Sequence, residues 1–204
     1  PRWLGIDDAL TTRLLDAGAD ANYRSGYLLW KSLMSFGDGQ GKTQLLLTHG
    51  ARPDLRLATG LNDLDLMQTF FTTSGNLTPD AGAAYRIPHP NPDNVGTPSD
   101  PIILTEALSF ATINQAKEDI DLLLEKGADI NGMPPRFHRA NRLGRSALHK
   151  AVDYCRPEMA RYLIERGADP DLPEPNWNQT PRDWATDWAC DEIRAVFEEL
   201  GEPE

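Results

Sequence analysis

Four segments of the chain close on nearly the same phrase: Leu14-Leu15-Asp16-Ala17-Gly18-Ala19-Asp20, Leu46-Leu47-Thr48-His49-Gly50-Ala51, Leu123-Leu124-Glu125-Lys126-Gly127-Ala128-Asp129 and Leu163-Ile164-Glu165-Arg166-Gly167-Ala168-Asp169. Each reads as the end of an apolar helix, two further residues, a glycine able to take the left-handed conformation that stops helices, and a turn. A helix end repeated in this way means a stacked array. Each unit of such an array buries its apolar face only against its neighbours.

The helix starts carry a second pattern. Ser146-Ala147-Leu148-His149-Lys150-Ala151 and Thr180-Pro181-Arg182-Asp183-Trp184-Ala185 place a hydroxyl cap before the helix, and the second adds a proline in the first turn, where a missing N–H costs nothing. Glu106-Ala107-Leu108-Ser109-Phe110-Ala111 keeps only the packing Leu and Ala. The spacing is also regular: Gly18 to Gly50 is about 32 residues, Gly127 to Gly167 about 40 and Gly167 to Gly201 about 34, close to the roughly 33-residue period of one repeat class. In these phrases, caps and spacing the chain resembles the ankyrin-repeat family. The resemblance implies an all-α solenoid of about six helix-turn-helix units, two of them imperfect. It also places His149 where that family has a structural histidine tying adjacent turns together.

The units read as follows. Residues 1–22 hold only the second helix of a repeat, so the sequence starts mid-repeat, as a piece of a longer protein or an irregular capping helix would. Residues 23–54 form a second unit, with helices over 27–34 and 42–49. Residues 55–77 are degenerate, with one convincing helix over 64–71 and too few residues for two. A Pro/Gly/Asn-rich inserted loop occupies 78–101, and loops of this length inside an array are usually functional or disordered. Units follow at 102–131 and 132–171, the latter opening with a smaller insertion, 132–143, that concentrates positive charge. Residues 172–204 form the C-terminal cap, whose polar last helix ends the array.

Bulk composition bounds the function. At 204 residues, 40% hydrophobic and 25% charged, the chain is an ordinary globular protein. No segment reaches the roughly 18 apolar residues of a membrane span, and the start shows no secretory leader, so an intracellular protein without membrane contact is expected. The net charge of −11 argues against nucleic acid, whose binders draw affinity from basic surfaces. It favours a protein or a Lys/Arg-rich peptide as partner. Cys155 and Cys190 occupy nearly equivalent positions in successive repeats, so stacked helices should hold them about 8–10 Å apart, beyond the roughly 7 Å Cα limit for a disulfide.

Catalytic chemistry finds little support. Gly37-Asp38-Gly39-Gln40-Gly41-Lys42-Thr43 has Phe36 where a phosphate loop needs its first glycine, and the glycines suit a tight interhelix turn. Asn91-Pro92-Asp93-Asn94-Val95-Gly96 lacks the ligand spacing of a calcium loop. The histidines and cysteines show no metal-ligand spacing, and no nucleophile is evidently activated. The expected protein is a non-catalytic interaction module without cofactor or metal. Its rivals are a regulatory or substrate-recruiting segment of a larger enzyme, and an enzyme with 78–101 as a lid.

The family's partners usually dock on the concave surface of hairpin tips and first helices. Carried onto this sequence, that surface includes Arg142, Arg145, Asp153 and Tyr154 in the fifth unit, and Trp177, Gln179, Asp187 and Trp188 in the sixth. Trp and Tyr are enriched at binding hot spots, and aromatic faces beside Asp153, Asp183 and Asp187 would suit a partner's Lys or Arg through cation–π contact and charge pairing. Trp184 falls at a packing position.

Overall fold

The four repeated phrases end their helices identically. The computed structural model describes residues 8–22, 28–29, 32–33, 39–85, 99–134, 144–187 and 190–200, and in it Gly18, Gly50, Gly127 and Gly167 have φ of 90°, 83°, 89° and 93°. At each, the glycine N–H donates to the carbonyl three residues back and the next alanine N–H to the carbonyl five back. Gly127 reaches Leu124 at 3.0 Å and Ala128 reaches Leu123 at 2.9 Å. This double bond satisfies the last carbonyls of the helix, and only glycine takes the φ without strain. In the three phrases that end in aspartate, its carboxylate then accepts from the N–H two residues on, as Asp129 does from Asn131 at 2.9 Å. Asn131 in turn bridges to the next unit, donating to Gly167 O and accepting from Asp169 N. Asn22 repeats the arrangement with Gly50 and Arg52.

These ends delimit a series of helices: α1 Asp8–Asp16, α2 Gly39–Thr48, α3 Leu55–Leu61, α4 Leu64–Gln68, a 3-10 segment Pro79–Tyr85, α5 Asp100–Asn114, α6 Lys117–Glu125, α7 Ala147–Asp153, α8 Pro157–Ile164, α9 Pro181–Asp187 and α10 Asp191–Leu200. Leu28, Leu29, Ser32 and Leu33 are also helical. From α3 onward the helices pair as hairpins, and the first members, α3, α5, α7 and α9, pack side by side in one row. The second members α8 and α10 pack in another, as do α4 and α6. The molecule is thus an all-α solenoid with one core running from α3 to α10. A smaller core around Leu15, Leu29, Leu46 and Leu57 joins α1 and α2 to it. Among the described residues strand pairing is limited to an isolated bridge, Phe71 with Leu77, and no helix is long and apolar enough to cross a membrane.

Helix α5 is buried from Ile103 to Ile113, including Thr105, Ser109 and Thr112. Those hydroxyls donate to carbonyls four residues back, at 2.7, 3.1 and 2.9 Å, so the helix satisfies its own polar groups and can be buried all round. The buried Glu106 finds its partner on α3, as described below. Thr43, which a phosphate loop would turn to a cation, instead shares a 2.8 Å hydrogen bond with the Ser32 hydroxyl.

The structure departs from the sequence reading in several places. Gly39 and Gly41, expected in an interhelix turn, lie in the first turn of α2 instead. The degenerate third unit holds two helices, because Asp54 caps α3 and Asp63 caps α4 through their side chains, with Asn62 at φ 56° turning the chain between them. The inserted loop begins with an ordered 3-10 turn whose Ala81 is buried in the core, and its last residues, Asp100 and Pro101, open α5. Residues 86–98 and most of the second insertion, 135–143, lie outside the described residues. Finally, Cys155 and Cys190 are joined, with Cα atoms 5.9 Å apart. The helix-spacing argument failed because neither cysteine is in a helix: Cys155 lies past the end of α7 at φ 46°, and Cys190 precedes α10.

Asp119, in the first turn of α6, is buried, and its Oδ2 has no hydrogen-bond partner among the described residues. Burial, with the Glu118 and Asp63 carboxylates nearby, pushes its pKa up to about 6. Since this lies above the value in an unfolded chain, ionisation weakens the fold: stability is full below about pH 4, falls as pH rises through 6, and then levels. Asp119→Asn is therefore expected to stabilise the protein by about 1–2 kcal/mol at pH 8, after allowance for screening, and to be neutral near pH 4. Urea unfolding at the two pH values measures this; equal effects at both would refute it.

Candidate protein-interaction site

Trp177 and Gln179 lie on one turn, 174–179, that leads into α9, and Arg145 reaches it from the start of α7 while pairing with Asp153. The Glu174 N–H donates to Gln179 O and the Asn178 N–H to Glu174 O, while Asn178 takes a φ of 56°. Inside the turn the buried Glu174 carboxylate accepts from the N–H groups of Trp177 at 2.6 Å and Asn176 at 2.9 Å. Burial alone would raise its pKa, but these donors, the Asn176 amide and the charge of Arg145 outweigh that and hold it below the usual carboxylate range. The turn is a rigid mount, and Trp177 stands on it 62% exposed.

Beneath Trp177 lies a cationic stack. The Arg145 guanidinium sits 3.7 Å from the ring centroid of Trp184 and 5.4 Å from that of Trp177. Its Nη1 is 3.6 Å from Asp153 Oδ2 at the end of α7, with both side chains buried. Trp184 is fully buried, as its packing position implied. Against it, edge to face, lies His149. A backbone carbonyl can only accept, so His149 Nε2–H donates to Gln179 O at 3.2 Å, which leaves Nδ1 to accept from the Ser146 hydroxyl at 2.8 Å. Burial, chiefly, lowers its pKa and keeps it neutral. The histidine ties the fifth unit to the sixth as the sequence resemblance implied. Thr180 and Asp183 complete a reciprocal cap at the start of α9.

Of the residues expected to face a partner, Trp177 is exposed, and Tyr154 and Gln179 are half-buried. Arg145 is a correction: it is 3% exposed, drawn inward because two indole faces and Asp153 offer a desolvated guanidinium better contacts than the surface does. The Asp153 carboxylate is likewise turned inward to meet it. Asp187 closes α9, and its side chain, like Arg142 and Trp188, lies outside the described residues. Sequence reading missed Glu174, although its carboxylate bonds reach only two and three residues on, because the residue has no place in the repeated phrases.

Other polar clusters hold units together. Arg166, just past the end of α8, pairs with Asp121 on α6 through two nitrogens, at 2.7 and 3.3 Å, and lies over the Tyr162 ring. Arg161 pairs with Glu199 across α8 and α10. Among the described residues one group could hold a metal ion, Cys155, Cys190 and Glu192.

Comparison with known proteins agrees with this geometry. Residues 93–174 match the family model for ankyrin repeats in three copies. The chain carries ankyrin repeats. Similar curated proteins include the potassium channel AKT1 of Oryza sativa, in both subspecies indica and japonica, 37% identical over 92 residues, which is 43% of this chain and 9% of the channel. The E3 ubiquitin-protein ligase Ufd4 of Drosophila melanogaster is 34% identical over 103 residues, 49% of this chain and 3% of the ligase. The chain thus spans less than a tenth of the length of these relatives. Ankyrin repeats are protein–protein interaction modules and are generally non-catalytic.

Proposed function

We propose that this ankyrin array is a non-catalytic module that binds a protein segment carrying basic side chains, and that Trp177, on the turn that Gln179 closes, is the centre of a docking surface that also includes Tyr154. The observation that carries this is Trp177 itself. A large aromatic ring left exposed on a turn that Glu174 holds in place offers contact area at little conformational cost. The inner side of that ring already faces Arg145, so its outer side supplies apolar area. Preference for basic side chains comes instead from the net charge of −11 and from acids such as the exposed Asp183.

Affinity capture from a matched cell extract, comparing wild type with Trp177→Ala, tests the reading. At least one partner is expected to bind about tenfold more weakly to the variant, equivalent to about 1.4 kcal/mol, with unchanged circular dichroism and with competition by a lysine-rich peptide. Identical partners and recoveries would mean that Trp177 only shields the last helix pair. The docking surface would then lie at the insertions, 78–101 and 132–143.

The small share of each relative that this chain matches favours a second reading, in which the array is the recruiting or regulatory segment of a larger protein. Extension of the reading frame on either side of residues 1–204 into a catalytic or channel domain would support it.

A further inference from the structure

Glu192, in the first turn of α10, brings a carboxylate against a pair of sulfurs. Its Oε2 lies 3.7 Å from Cys190 Sγ and 3.9 Å from Cys155 Sγ. A disulfide has no proton to donate, so joined sulfurs give that oxygen nothing. Reduced, the same atoms are two thiols and a carboxylate, with all three ligand atoms within 4.8 Å of one another. In a tetrahedral site with sulfur at about 2.3 Å and oxygen at about 2.1 Å from the metal, the S···O edges are about 3.6 Å. Glu192 already stands near that distance from both sulfurs, and only the sulfurs need to separate. Their positions allow it: both cysteines lie outside the helices, and Cys155 is exposed, which gives an ion a way in.

We propose that Cys155, Cys190 and Glu192 form a site for a divalent cation of the zinc class, available when the two sulfurs are reduced and closed when they are joined. A dithiol reductant opens it. It transfers two electrons and two protons to the disulfide, leaves as its own disulfide, and frees two thiols. Metal binding displaces the two thiol protons to solvent, and water takes the fourth coordination position. Hydrogen peroxide closes it: the two thiolates give up two electrons and form the S–S bond, the peroxide takes two protons from solvent and leaves as two water molecules, and the cation is released. Either state links the end of α7 to the start of α10 across the last two units, next to Tyr154. The site is independent of the role of Trp177.

The test is cobalt(II) titration of the whole chain, reduced with a phosphine, followed by the thiolate-to-cobalt charge-transfer absorption, with zinc affinity measured by calorimetry. The expected result is one equivalent of zinc bound with a Kd of about 1 μM or tighter. Cys155→Ser and Cys190→Ser should each weaken binding and reduce the band, Glu192→Gln should weaken zinc binding about tenfold or more while keeping the band, and the oxidised wild type should not bind. Reduced wild-type protein that remains helical yet shows no charge-transfer band at excess cobalt would overturn the proposal. So would zinc binding that is equal in the oxidised and reduced chains.

Discussion

Replacing Arg145 by alanine is expected to destabilise the protein by about 3–5 kcal/mol, the usual cost of removing one partner from a buried charge pair. The size follows from what the guanidinium faces. It is 3.6 Å from the buried Asp153 carboxylate and 3.7 Å from the centroid of Trp184, so its loss takes a positive charge from a desolvated carboxylate and opens a gap beside the largest buried ring. Arg145→Lys keeps the charge but not the planar stack and should fall between alanine and wild type. Asp153→Asn should recover part of the loss in the alanine background and cost stability in the wild type. Urea unfolding of the four variants measures both the loss and the coupling. A loss below about 1 kcal/mol for Arg145→Ala, or purely additive effects, would show that the pair is inert despite its burial.

Arg56→Ala should cost a similar amount, about 3–5 kcal/mol, at the other end of the main core. Arg56 is 2% exposed, with Nη1 3.1 Å from Glu106 and Nη2 3.6 Å from Asp54, both themselves buried. Its guanidinium also lies 5.8 Å from the Phe110 ring centroid. These contacts join α3 to α5, so the substitution should loosen the degenerate third unit from the rest. A paired Arg56→Met/Glu106→Leu replacement should recover most of the loss, since apolar side chains of similar volume often replace a buried ion pair at no cost. Hydrogen exchange in α3 and α4 would locate the effect. Protection that falls equally in α8 and α10 would contradict it.

How much of this could be read from the residues depended on how far apart the interacting groups lie. The glycine phrase was legible because a helix end closes within about five residues, and all four predicted ends have the predicted geometry. The Thr180 cap was legible for the same reason, and the packing of Trp184 from its position in the repeated helix start; that Asp183 completes the cap was not read. The third unit was misread because its helices, Leu55–Leu61 and Leu64–Gln68, are too short to show a period, although Asp54 and Asp63 are ordinary cap residues. At the candidate site, Trp177 is exposed as its position in the repeat allowed, whereas Arg145, carried onto the same outward surface by the resemblance, is buried.

The sequence by itself determined that the chain is a stack of helical hairpins, where four of its helices stop, and that His149 would join two units. Each of these rests on short-range bonds or on a repeated phrase. Only the tertiary structure decided that Arg145 is buried between two tryptophans, that Arg56 meets Glu106 fifty residues away, and that Cys155 and Cys190 come within bonding distance. Those contacts depend on the register of one unit on the next and on turns that lift side chains out of the helical lattice. A repeat in sequence encodes the unit, and the distances between units are set by how their side chains pack.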